Sequence, residues 1–465
     1  MIYGWQAFFN MMMNFYDKPS FNMIRVIYVL FLCAFITACT AKKSVTNSNQ
    51  QIDHQFDLLA QKNHHIGFVL KDLDKNQVIY ELNADMPFTA ASTTKLLNFY
   101  TGLHFMADSV PSYQYTIKGD SLMIWPMADP TFLNPDFKHQ PAFDFLKNSG
   151  KNIYLVSGRY KGEKFGKGWF WDDYNESYQA EITDFPMYKN MVTCSQNLDG
   201  SFSMLPDLAS LYYSEKSVQK SLKSIKRNLY NNNIFVPEQL NPGYKQLIPI
   251  SFNSNIKESL LTDTLLATGL ITSSVSTLPW QPVPADAKII YNAKADSVFK
   301  KMLQSSDNFL AEQLLLNYAA QQQLNMDANL IIQKAQQELF TDIAKNSCNW
   351  VDGSGLSRLN LISPAFGIKI LEKLRQKVNN DDKLFDLLAA GNKSGTLKNM
   401  FKTSTKSFVF AKSGSLSNNY NLVGYLVGKS GKKYAFSYLN NNFIAPVSAV
   451  RNDVEQILTF IHLNY

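Results

Sequence analysis

Three short patterns in this chain carry the residue types that acyl transfer to a serine requires. The first is Ser-x-x-Lys, which on a helix places a hydroxyl and an amine on one face, one turn apart, so that the amine can take the hydroxyl proton. It occurs at Ser92, Ser217, Ser254, Ser297 and Ser430, so the pattern alone selects nothing. Context selects Ser92, which opens the helical stretch ASTTKLLNFYTGLHF with Lys95 on its face, where a helix N-terminus supports negative charge. Ser217–Lys220 and Ser254–Lys257 lie in Lys- or Asn-rich surroundings that read as solvated faces, Ser297 is mid-helix and Ser430 is in a turn. The second pattern, Ser-x-Asn, recurs at Ser20, Ser195, Ser251, Ser306 and Ser417. The copy at Ser306–Asn308 interrupts a helical pattern, with VFKKML before it and FLAEQLLLNY after it. A junction of that kind can aim Ser306 and Asn308 into a cleft or simply cap a helix. The third is Lys-Ser-Gly, at Lys393, Lys412 and Lys429. Only Lys412 ends a strand-like run, SFVFA, where an edge strand with a small residue after the lysine could line a cleft. Lys429 falls in a hairpin turn and Lys393 in a loop, so Lys412 is the copy expected to act.

Elements at both ends of the chain must bring these segments together. Ile66–Leu73 and Gln77–Leu82 alternate as two strands around a turn and feed the Ser92 helix. FVFAK, NLVGYLVG and KYAFSYLN read as three more strands, followed by a helical pattern over Val447–Leu463. The ends therefore form one sheet with shared helices, residues 51–105 and 256–465, in an α/β (α+β) fold. The stretch 106–255 is rich in Trp, Tyr and turn residues, with short strand-like pieces such as NIYLVSGRY and NIFVPEQL, and reads as a large mostly-β insertion.

With 465 residues, 45% hydrophobic and 18% charged, the chain is globular and too long for one simple core. Its net charge of +7 gathers in no basic run, which argues against nucleic acid as a partner. Arg25 precedes an uncharged run, Val26–Ala38, too short to span a bilayer comfortably and suited to a signal peptide. ITAC at Ile36–Cys39 resembles a bacterial lipobox, which implies that 1–39 is a signal peptide with its lipobox, cleaved before Cys39, with lipid on that cysteine and a membrane-anchored protein facing the periplasm. Met23 points to 1–22 as an over-long start, and residues 40–50 form a polar tether. Cys194 and Cys348 remain, and could pair in an oxidising compartment. No cofactor or metal site is indicated, since the histidines show no ligand spacing.

In order, Ser92-Thr93-Thr94-Lys95, Ser306-Asp307-Asn308 and Lys412-Ser413-Gly414 resemble the motifs of the penicillin-binding D-alanyl-D-alanine carboxypeptidase/endopeptidase family, the low-molecular-mass class C penicillin-binding proteins. FTAASTTKLL, SSDNFLAEQL, DGSGLSRLNLISP and AKSGSL extend the likeness, and ADPTF and GWFWDD are similar to segments of the family's insertion. The resemblance implies a β-lactamase/transpeptidase-like domain split by the insertion, and a serine peptidase trimming peptidoglycan stem peptides or cross-links, with β-lactam antibiotics as covalent inhibitors. It assigns Ser92 as nucleophile, Lys95 as base, Ser306 as proton relay and Asn308 as a contact to the peptide backbone. Lys412, Ser413, Gly414 and Ser415 would receive the terminal carboxylate, the amides of Ser92 and Ser415 would form the oxyanion hole, and Asp173 and Arg358 would read a diaminopimelyl side chain. The Trp-rich segment around Trp169 to Tyr174 would shape the wall. Ala128 stands where the family has Gly, and Met400 where it has Arg. A β-lactamase or esterase using the same Ser/Lys pair, or a slowly acylating wall-binding lipoprotein, would carry the same residues.

Overall fold

The computed structural model describes residues 47–60, 62, 64–214, 217–269, 274–343 and 347–465. The chain divides into two units, Met1–Asp57 and Leu58–Tyr465. A helix, Asn47–Ala60, begins inside the segment read as a tether, while Val26–Ala38 and Cys39 lie outside the described residues. Among the described residues, no helix is long and apolar enough to cross a membrane.

Within Leu58–Tyr465 the central element is a six-stranded antiparallel sheet, in the order Ala389–Ala390, Val409–Leu416, Asn419–Val427, Lys433–Asn441, His65–Asp72 and Gln77–Leu82. The hairpin from the start of the fold thus pairs with the three strands from its end, as the alternating patterns at both ends require. Lys412 lies in the middle of its strand, not at the end of it: the alternation continues to Leu416. The short strand Ala389–Ala390 covers only Ala411 and Phe410, so from Lys412 onward this side of the strand is an edge. Helix Pro364–Val378 packs against the strands His65–Asp72 and Lys433–Asn441, and helix Val447–Asn464 against Asn419–Val427.

The middle of the chain builds a five-stranded mixed sheet in the order Val275–Pro279, Asn152–Ser157, Ser121–Pro126, Ser109–Lys118 and Lys288–Lys294. Its two outer strands come from beyond residue 255. Two three-stranded sheets, one centred on Met191–Gln196 and one on Ile234–Pro237, complete this region. Cys194 is buried in the core there, and it and Cys348 are both free.

One helix ties the two regions together. Asn308–Gln321 is apolar around most of its circumference, which is the signature of a helix enclosed on all sides, and Phe309 to Ala320 are all buried. Two of its polar side chains find backbone partners in the middle region: Asn317 Nδ2 donates to Pro111 O at 2.9 Å and Met127 O at 2.7 Å, and Gln313 Nε2 to Thr183 O at 2.7 Å. Asn308, at its first turn, is therefore fixed by the burial of everything that follows it.

The turn that carries Ser92 is held to the sheet by asparagines. Asn421 Nδ2 donates to Thr89 O at 2.8 Å and Ala90 O at 2.9 Å, and Thr89 N donates to Asn441 Oδ1 at 2.6 Å. Two glycines permit the close approach. A Cβ on Gly414 would sit 2.8 Å from Ala90 O, and one on Gly355, where φ is +83°, would sit 1.9 Å from Ala91 O. The small residue after Lys412-Ser413 thus serves contact between the edge strand and the Ser92 turn.

Candidate active site

Ser92 lies in a single 3-10 turn, Ala91–Thr94, that runs into the helix Lys95–Phe105. Ala91 before it has φ +48°, a left-handed conformation that is uncommon outside glycine. Lys95 is fully buried, and its Nζ lies 3.0 Å from Ser92 Oγ, 2.7 Å from Asn308 Oδ1 and 2.6 Å from Ser354 O. All three donor positions of an ammonium are filled. Burial pulls Lys95 down to about 8, against the opposing charges of Glu312, Asp352 and Asp307.

The second lysine is fully buried as well. Lys412 Nζ donates to Ser306 Oγ at 2.9 Å and to Ser413 O at 2.6 Å, and burial together with the charge of Lys95 holds it well below the ordinary lysine value. Ser306 itself sits at φ +59° between helices Ala295–Gln304 and Asn308–Gln321. Asp307 caps the second of these through Leu310 N at 3.0 Å and pairs with Lys189 at 2.8 Å. The junction read from the sequence is therefore both a cap and a cleft-facing pair: Asp307 does the capping and Ser306 and Asn308 face the site.

The structure separates the motif copies by burial. Lys393 and Lys429 are exposed, whereas Lys412 has no exposed surface. Among the Ser-x-x-Lys copies, Lys220 pairs with Glu238 at the surface, but Lys257 is buried against Asp184 and not solvated as its Asn-rich surroundings suggested. The Lys393 loop still reaches the site, because Ser413 Oγ donates to Thr396 Oγ1 at 2.7 Å.

Ser92, Ser306, Asn308 and Ser415 line one cleft of about 610 Å³, with Asp173 and Arg358 on the same walls. Arg358 is held by Asn419 Oδ1 and Ser417 O, each at 2.9 Å, and its guanidinium lies 5.6 Å from the Phe170 ring centre. Asp173 is hydrogen-bonded to Tyr178, whose phenol is pushed up by burial and by that carboxylate. Asn308 Oδ1 accepts from Lys95 at 2.7 Å and its Nδ2 donates to Tyr178 O at 3.0 Å, so the lysine and the middle region both hold its amide in place. Trp169 is tied down, donating from Nε1 to Asp352 Oδ2 at 2.9 Å, whereas Trp171 is 73% exposed and is not part of the cleft lining. Ala128 has φ +57°, which explains a glycine in that position elsewhere. Met400 is buried and accepts from Tyr420 Oη.

Sequence reasoning missed three sets of residues around the site. Asn421, Asn441 and Asn360 anchor the Ser92 turn, Glu312 and Asp352 lie behind Lys95, and Tyr178 orients Asn308. A polar residue inside an otherwise apolar strand or helix was the available signal, at Asn421 in NLVGYLVG and at Glu312 in FLAEQLLL.

The sequence model of the D-Ala-D-Ala carboxypeptidase 3 (S13) family matches residues 49–461. Over 420 residues the chain is 21% identical to the D-alanyl-D-alanine carboxypeptidase DacB of Haemophilus influenzae, covering 81% of this chain and 85% of that one. Its fold is similar to the crystal structure of penicillin binding protein 4 from Haemophilus influenzae, with a TM-score of 0.67 and 18% identity over 87% of this chain and 97% of that one. It is also similar to a penicillin G-acylated predatory endopeptidase from Bdellovibrio bacteriovorus, with a TM-score of 0.51 and 12% identity over 86% and 96% of the two chains.

Lys95 loses its proton near pH 8 in the folded protein and near 10.5 when exposed. Between those values the unfolded chain binds more protons, so stability rises with pH; below them both states are protonated and the contribution is flat. Denaturant unfolding from about pH 7 to about pH 10 should therefore show wild type gaining on Lys95→Met, by up to about 3 kcal/mol. A difference that stays constant with pH contradicts the buried low-pKa lysine.

Proposed function

This chain belongs to the D-Ala-D-Ala carboxypeptidase 3 (S13) family, and from that premise we propose that it cleaves D-Ala-D-Ala-type peptides of peptidoglycan through an acyl-enzyme on Ser92. The observation that carries the reading is the arrangement of acceptors around Lys95 Nζ. A neutral amine has two N–H donors and one lone pair. With the two donors on Asn308 Oδ1 and Ser354 O, the lone pair is left toward Ser92 Oγ, 3.0 Å away, and the direction of that hydrogen bond reverses. Ser92 then attacks the peptide carbonyl as its proton passes to Lys95, the terminal D-Ala leaves, and water resolves the ester. Ser306 Oγ, accepting from Lys412, can relay the proton that Lys95 took from Ser92: it gives its own proton to the departing amine as it receives that one, which leaves Lys95 neutral again.

The amides of Ser92 and Ser415 are the proposed oxyanion donors. Close passage of the edge strand beside the nucleophile supports this: a Cβ on Gly414 would lie only 3.1 Å from Ser92 N. Lys412 has no exposed surface, so it acts on the terminal carboxylate through its field and through Ser306 and Ser413, while Ser415 meets the carboxylate directly. A bound carboxylate would in turn restore the charge on Lys412, and that charge favours the neutral form of Lys95. Substrate binding would thereby prepare the base.

Asp173 and Arg358 are the proposed readers of an amphoteric side chain on the stem peptide, since they face one cleft and the arginine is pre-set by Asn419 and Ser417. Arg25, the apolar run to Ala38 and Cys39 support export and lipid attachment, which would hold the enzyme at a membrane facing the periplasm.

Ser92→Ala should abolish labelling by a fluorescent penicillin and release of D-Ala from a muropeptide ending in D-Ala-D-Ala; persistent labelling places the nucleophile elsewhere. Arg358→Ala should lower kcat/KM for diaminopimelyl peptides about tenfold or more while leaving acetylated tripeptides much less affected; equal losses remove its role. In cells fed a radiolabelled fatty acid, Cys39→Ala should lose both label and membrane association, and label retained on the variant refutes lipidation at that residue.

A further inference from the structure

Glu312 has no part in the proton path above, yet it is the most unusual charge near it. It lies one helical turn after Asn308 on the buried helix and is 4% exposed. Its two carboxylate oxygens accept from Ser354 N at 2.7 Å and Gly353 N at 3.1 Å. The carbonyl of that same Ser354 is the one set 2.6 Å from Lys95 Nζ. Asp352 stands beside it, accepting from Gly355 N and Ser357 N at 2.7 Å, Asn360 Nδ2 at 2.8 Å and Trp169 Nε1 at 2.9 Å. Among the described residues, neither carboxylate has an ion pair within salt-bridge distance. The loop from Asp352 to Ser357 is thus wrapped around two buried acids, and burial together with the neighbouring Asp352 carboxylate pushes the Glu312 carboxyl up to about 8.

We propose that Glu312, supported by Asp352, is a positioning residue that sets both the orientation and the protonation of Lys95 without touching substrate. Its oxygens fix the Ser354 carbonyl on Nζ, and its charge, when the carboxyl is ionised, stabilises the ammonium; burial and Asp352 raise that carboxyl to about 8, into the range where Lys95 titrates. The groups facing Lys95 are Glu312 and Asp307 from the helix and its cap, Asp352 from the loop, and Lys412 from the edge strand. The acids oppose loss of the proton and Lys412 favours it, so the working pH of the base is a balance that Glu312 can tilt. The two carboxylates also line a second cleft of about 870 Å³ that shares no lining residue with the catalytic one. Through it the acids can exchange protons with solvent while substrate fills the front of the site.

The inference rests on Lys95 being the proton acceptor of Ser92, and the experiment separates the two claims. The rate constant for acylation by a fluorescent penicillin is measured against pH for wild type, Glu312→Gln and Glu312→Asp. Glu312→Gln removes the charge, and should move the acid limb to lower pH by about one unit or more. Glu312→Asp keeps the charge but shortens the reach to Ser354 N, and should lower the plateau about fivefold or more with the acid limb unmoved. Acid limbs at the wild-type pH in both variants overturn the proposal, because a purely structural residue would lower rates without moving the limb. If Glu312→Gln does not fold, the wild-type 13C resonance of the Glu312 carboxyl decides: an inflection at the pH of the acid limb supports coupling to Lys95, and its absence overturns it. Undiminished acylation by Lys95→Ala would instead remove the base itself, and this inference with it.

Discussion

Two lysine ammoniums removed from water within one cleft are the constraint on which the rest of this structure depends. Neither Lys95 nor Lys412 has exposed surface, and burying a charge is tolerable only if it is hydrogen-bonded, paired or given up. Here the first and the last of these occur. Lys95 Nζ is surrounded by three oxygen acceptors and Lys412 Nζ has two, buried acids lie behind Lys95 beyond pairing distance, and both groups are shifted toward the neutral form. An amine brought down to about 8 gives up its proton far more readily near physiological pH than an exposed lysine, which is what a serine hydroxyl needs in a partner, so the electrostatic penalty and the chemistry have the same origin.

Meeting that constraint requires segments far apart in the chain. Ser92 and Lys95 come from the early turn, Ser306 and Asn308 from a helix junction, Ser354 from a loop and Lys412 from an edge strand. The glycines at 355 and 414 allow loop and strand to approach the Ser92 turn closely, and the asparagine bonds from 421 and 441 hold that turn to the sheet. The middle of the chain takes part as well. Tyr178 O orients Asn308, Trp169 ties to Asp352, and Lys189 pairs with Asp307, so the middle of the chain braces these groups from outside the sheet.

Much of this was legible in the sequence because it is local. Alternation in His65–Asp72, Asn419–Val427 and Lys433–Asn441, and the 3.6-residue pattern of Val447–Asn464, fall where the structure has those elements. Lys412 is buried where Lys393 and Lys429 are exposed, as the apolar run before it foretells. What was hidden is long-range. The pairing of Val275–Pro279 with Asn152–Ser157 leaves no periodic trace, Lys257 looked solvated because its partner Asp184 is distant in sequence, and the engagement of Asn308 by Tyr178 depends on where the middle region docks. Glu312 was visible as a lone acid in an apolar helix, but its meaning needed the Ser354 loop folded over it.

The claim at the centre is that Lys95 works as a neutral amine, and the most direct measurement is the 15N resonance of its Nζ followed with pH in selectively labelled protein. The account predicts one titration with its midpoint near pH 8. A resonance that stays that of an ammonium until about pH 10, where an exposed lysine titrates, would contradict it.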